Sequence, residues 1–122
     1  MTTRRQASRP AGQLTPVPVV LTDAATITTD ASLGITFRAT IAASRTLAAP
    51  TNPVDGQRAV WEITASGGAW TVTLTTGTAG AFKFGTDFTE IPVVASGTTT
   101  FIGAAYRAAS ARWHVIAVGS GH

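Results

Sequence analysis

The sequence predicts an all-β domain, a small β-sandwich or jelly-roll-like unit over residues 17–122 with an extended arm over residues 1–16. Three observations predict it. Apolar and polar residues alternate with period two in short runs bounded by Gly, Pro, Asn and Ser, the pattern of strands with one buried face. Threonine, which is β-branched and suits an exposed pleated surface, occurs 22 times. No segment carries the 3.6-residue period of a long amphipathic helix.

Taken in order, residues 1–16 are polar, contain Pro10, Gly12 and Pro16, and read as extended chain. Val17, Val19, Val20 and Leu21 suit a strand at a sheet edge, the place to which Pro18 confines it. Ile35, Phe37, Ala39 and Ile41 alternate with Thr36, Arg38 and Thr40, which predicts a half-buried strand with Ile35 inward. Ser44-Arg45 reads as a hairpin turn. Pro50, Pro53 and Gly56 predict a rigid reversal before the next strand. Trp61, Ile63 and Ala65 form one face of that strand; Ser66-Gly67-Gly68 then predicts a turn, and Trp70, Val72 and Leu74 a returning hairpin partner.

Phe82 and Phe84 straddle Lys83, placing two rings on one side of a short strand. Glu90–Ala95 is an apolar run broken by Pro92, hence an edge or loop-strand. Thr98–Arg107 alternates Thr100, Ile102, Ala104 and Tyr106 with Phe101, Gly103, Ala105 and Arg107. Both of its faces are fairly apolar, as in a central strand or one at a subunit interface. Gly103 marks a bulge or a close backbone approach. Ala108-Ala109-Ser110 is a tight connection to a last strand, Arg112–Val118, with Trp113, Val115 and Ala117 on one face.

Charge separates arm from body. The chain carries nine basic and six acidic residues, and the net +3 comes from Arg4, Arg5 and Arg9 in the arm. From residue 10 onward the charges balance, and no basic stripe predicts nucleic acid as a partner. The arm reads either as an anchor to an acidic protein surface or as a solvated terminus. Mean hydropathy is +0.22, yet no apolar run approaches the ~20 residues of a membrane span, so no membrane partner is expected. The arm lacks the apolar region of a secretion signal. Cysteine is absent, which removes disulfides, thiol catalysis and Cys-based zinc sites.

Chemistry-bearing residues are few, and no enzyme activity or cofactor is predicted. His114 lies on a strand among apolar neighbours and His122 is the last residue; neither comes with the partners that acid–base or metal chemistry requires. Asp87 and Glu90 are near one another in sequence and read as a calcium or glycosidase pair, or as turn residues after Gly85-Thr86. Gly77-Thr78-Ala79-Gly80 lacks the lysine and helix of a phosphate loop. Trp61, Trp70 and Trp113 fall on inward faces and read as core, a sugar-stacking platform being the rival.

The order of turn and core patterns carries a resemblance. Leu33-Gly34-Ile35-Thr36-Phe37 leads through Arg45-Thr46-Leu47-Ala48-Ala49-Pro50 to Thr51-Asn52-Pro53-Val54-Asp55-Gly56-Gln57. Phe82-Lys83-Phe84-Gly85-Thr86-Asp87, Phe101-Ile102-Gly103-Ala104-Ala105-Tyr106 and Ala111-Arg112-Trp113-His114-Val115-Ile116-Ala117 follow. This order resembles a small β domain of tailed-bacteriophage virion proteins, found in tail-fibre and spike chains and, in related form, in head decoration proteins. It covers about residues 22–119 and carries no active-site residues. The resemblance implies a virion structural protein: a homotrimeric decoration protein on the outer surface of the head, bound to the major capsid protein. Arg4, Arg5, Arg9, Val17 and Val19 would supply the arm contact, and Phe101, Gly103, Ala105 and Tyr106 the subunit interface. The alternative it implies is a tail-fibre or baseplate tip module binding a host-surface glycan through residues such as Tyr106, Trp113 and Asp87.

Overall fold

The computed structural model describes residues 17–122, and they form an all-β unit of two sheets enclosing one core. Nine strands are present among the described residues: β1 (Val19–Val20), β2 (Thr26–Ile27), β3 (Thr36–Ile41), β4 (Arg45–Leu47), β5 (Arg58–Ala65), β6 (Val72–Leu74), β7 (Phe82–Lys83), β8 (Thr99–Arg107) and β9 (Arg112–Gly119). The large sheet has the order β1-β3-β5-β8-β9-β7 and the small sheet the order β2-β4-β6.

The chain winds. Consecutive strands from β1 to β6 alternate between the sheets, and each pairs in parallel with the strand two before it. Parallel neighbours cannot be joined by a tight turn and need a crossover. Here a strand of the opposite sheet serves as that crossover. The loops 28–35, 48–57 and 75–81 therefore gather at one end, where β3, β5 and β7 begin. β8 and β9 close the large sheet as an antiparallel hairpin, and their turn reaches the same end, with Ala111 at φ 53.

This winding corrects three expectations. The segments around Trp61 and Trp70 are not hairpin partners: β5 pairs with β3 and β8, whereas β6 pairs with β4. Ser66-Gly67-Gly68 does turn the chain, with Gly67 at φ 78, but carries it into the other sheet. The Trp70 ring folds back over Gly68, where a Cβ would lie 2.8 Å from the indole, and Nε1 donates to the Ser66 carbonyl at 2.8 Å. Ser44-Arg45 is likewise an inter-sheet step. Glu90–Ala95 contributes only a bridge between Val94 and Trp70, while Ile91 and Val94 are buried under the side wall.

The core forms around Trp61. Its ring stacks on Phe37 at 5.6 Å and meets Phe82 and Trp113 edge-on at 5.2 and 5.6 Å. Its Nε1 donates to Thr29 Oγ1 at 3.0 Å, satisfying the one polar atom that this large apolar ring buries. Ile27, Leu47, Val72 and Leu74 of the small sheet pack against the same cluster, so the two sheets share one apolar interior.

The last strand carries a bulge. Gly103 faces Ala117, but Ala104 faces Val115, leaving Ile116 as an extra residue on β9. Side-chain alternation resets there: Trp113 and Val115 point inward, Val118 packs against the core, and Ala117, expected inward, is exposed. Ile35 is corrected as well. It precedes β3 and is 56% exposed, because the strand begins only at Thr36.

Candidate functional site

The outward face of the large sheet combines registers that pairing fixes. One row reads Val20, Arg38, Glu62, Phe101 and Gly119; the next reads Thr36, Val60, Gly103 and Ala117. In the first, Arg38 Nε donates to Glu62 Oε1 at 2.8 Å across β3 and β5. Phe101 meets the His122 ring edge-on at 5.3 Å. The second row floors a shallow groove of about 360 Å³, walled by Ile35 and Ile116 and almost wholly apolar. Leu33, Ile35 and Val54 extend that apolar surface toward the loop end, and Leu33 and Val54 are exposed there.

Gly103 sits where the pairing of β8 with β9 shifts at the bulge, one of the two features that its place in a strand predicts. A Cβ built on it would meet Ala117 Cβ at 3.5 Å, ordinary van der Waals contact, and its φ is not in the left-handed region. Glycine inside a strand destabilises by about 0.5–1 kcal/mol relative to alanine. At this bulge in a central strand, the glycine also leaves a smooth floor for another surface to approach closely.

The sequence-predicted residues divide around this face. Phe101, Gly103 and Ala105 lie together on it, as period two requires. Tyr106 does not: its ring points inward and packs on Trp113 at 5.4 Å. Trp113 is fully buried and offers no face to a glycan. Val17 is 73% exposed, whereas Val19 pairs with Phe37 and lies 3.1 Å from where a Gly34 Cβ would sit, so it serves its own sheet. Arg4, Arg5 and Arg9 lie outside the described residues. Asp87 and Glu90 are exposed in the segment that climbs beside β6. Among the described residues no three His, Cys, Asp or Glu side chains stand close enough to hold a metal ion. No helix among them is long and apolar enough to cross a membrane.

Sequence reasoning missed Ile35, Val60 and Ile116 as members of the face. Val60 was readable, being one step from the inward Trp61. Ile116 follows from alternation, lying one step beyond the inward Val115, whereas Ala117 joins the face only because the bulge turns it out.

Elsewhere the carboxylates are tied to the scaffold. Asp23 accepts from Arg45 Nε at 2.7 Å and Nη2 at 3.1 Å, and from the Ala42 amide at 3.2 Å. The Arg45 hydrogen bond chiefly holds the Asp23 carboxyl below its ordinary 3.8. Asp30 accepts from Ser32 Oγ at 2.6 Å, the Ser32 amide at 3.0 Å and Asn52 Nδ2 at 3.1 Å, and these bonds lower its value too. Both act as fixed braces between loops.

Compared with family models, curated proteins and solved structures, the chain matches none of them significantly.

Proposed function

We propose that this chain is a structural protein of a bacteriophage virion: a homotrimeric decoration protein that binds the major capsid protein on the outside of the head and stabilises it. The observation that carries the reading is the apolar outward face around Gly103. Val60, Ala117, Ile35 and Ile116 surround a glycine on the central strand of a sheet whose other face already fills the core. Contiguous apolar surface of this kind marks a face meant to be covered. A second copy of the chain is the occupant that the virion resemblance supplies, and three-fold order comes from the same source. Residues 1–16 then extend over the capsid protein, and three arms held by one trimer multiply a weak contact through effective concentration.

The test has two stages. Sedimentation of the full chain should give three times the 12.5 kDa subunit mass, and Gly103→Arg should yield a folded monomer by circular dichroism. A monomeric wild-type chain, or a Gly103→Arg chain that associates unchanged, overturns the self-association. The full chain should co-sediment with phage heads lacking it, and deletion of residues 1–16 should abolish this while leaving the trimer intact. A truncated chain that still coats heads removes the arm from the mechanism.

A further inference from the structure

Among the described residues six side chains carry full positive charge, and two of them, Arg38 and Arg45, are in ion pairs. The other four are Arg58, Lys83, Arg107 and Arg112. Residues 1–16 contain no acid that could neutralise them. These four are not scattered. Arg58 faces Ala105, Ala105 faces His114, and His114 faces Lys83, so one row of the large sheet's outward face holds two cations and an imidazole. Arg107 faces Arg112 in the next outward row, closer to the loop end. The Arg58 row spans three strand spacings, ~14 Å.

The corner is built as well as charged. Arg112 donates from Nη2 to the Phe82 carbonyl at 2.6 Å and from Nε to the Ala81 carbonyl at 3.4 Å, which fixes its guanidinium at the sheet margin. His114 Nε2 shares a 2.7 Å hydrogen bond with Ser110 Oγ. Ala105, between Arg58 and His114, is too small to cover either. The backbone enters β1 from this end, because β1 runs parallel to β3 and β5.

We infer that this corner is a second docking surface, and that its partner is an acidic protein surface presenting separate carboxylates. The mixture of charges selects this partner over nucleic acid. Asp55 stands at the rim, its carboxylate accepting the Ala108 amide at 2.9 Å, and Asp30 belongs to the loops of the same end. A continuous phosphate backbone would meet these acids as well as the cations. Discrete carboxylates can be placed opposite the cations alone. The corner also lacks an exposed aromatic ring on which bases would stack. Arginine makes up three of the four cations, and its planar fork suits bidentate pairing with carboxylates. The inference goes beyond the decoration reading: it assigns the body a contact of its own, whatever the partner's identity.

The test uses the full chain on two immobilised probes, poly-L-glutamate and a duplex DNA of random sequence. In an R4A/R5A/R9A background, which removes the arm's charge, the body should still bind poly-L-glutamate at low salt. Adding K83E/R107E, which spares Arg58 because it also lines the Gly103 groove, should weaken that binding about tenfold, and added salt should weaken the parent's binding. Equal retention with and without the reversal overturns the inference. Tighter retention on the duplex, lost on reversal, overturns the choice of partner. Sedimentation mass and thermal melting should be unchanged by the reversal, so a failure here is distinct from a failure of self-association. Should the reversal unfold the chain, K83Q/R107Q gives the same comparison with smaller charge change.

Discussion

The two sheets bury the same kind of interior and turn opposite kinds of surface outward. On the small sheet, pairing sets Thr26, Thr46 and Thr73 side by side across all three strands, with Thr71 and Thr75 flanking them on the β6 segment. A methyl and a hydroxyl at each position suit a pleated surface in water. The large sheet presents Val20, Val60, Phe101, Gly103, Ala117 and Ile116 outward, broken by one ion pair and ended by cations. Strand propensity alone would permit threonine on both. The contrast marks the large sheet, and not the small one, as the face on which the proposed self-association must be tested.

The interior is where that contrast should vanish. Trp61→Ala in the large sheet should destabilise by about 3–5 kcal/mol, and Leu47→Ala in the small sheet by about 2–5 kcal/mol. Urea titration should show a single transition for both, since the sheets share one core. Two separate transitions would mean that each sheet stands alone. A smaller effect of opposite sign is expected at Thr100, which is fully buried on β8 with no hydrogen-bond partner for its hydroxyl. Thr100→Val replaces the unpaired group with a methyl and should stabilise by about 1 kcal/mol, read as a raised urea midpoint. The smallest effect concerns the brace at the opposite end. Asp23 has a depressed folded value, so its contribution is present above the unfolded value and is lost as pH falls through the folded one. Asp23→Asn should lower the urea midpoint at pH 7 and lower it less as the pH is taken down through the acid range. An equal loss throughout would assign the brace to packing rather than charge.

Much of this could be read in the residues, and the limit lies where pairing becomes non-local. The strands around Phe37, Trp61, Ile102 and Trp113 follow from alternation, because a half-buried strand writes its burial into every second residue. Their partners do not follow. Ser66-Gly67-Gly68 has the chemistry of a hairpin turn, yet the chain beyond it pairs with β4, whose position depends on the whole preceding coil. The coil leaves no repeat in the sequence because its loops differ in length from turn to turn. The candidate face was half legible. Phe101, Gly103 and Ala105 share a face by simple counting, and the same counting separates Tyr106 from them. Ala117 required the bulge, and the cationic corner required the register of β5, β7, β8 and β9 together.

The winding has a consequence for how this molecule can vary. Each strand takes its alignment from the neighbour beside it, while the segments 28–35, 48–57 and 75–81 only return the chain to the next turn. Lengthening such a segment costs little closure entropy, roughly 0.6 kcal/mol for each doubling. It also leaves every side chain facing as before. One end of the two-sheet coil is thus free to acquire new loops, whereas a single residue gained or lost within β5 would reverse Trp61 and expose the centre of the interior.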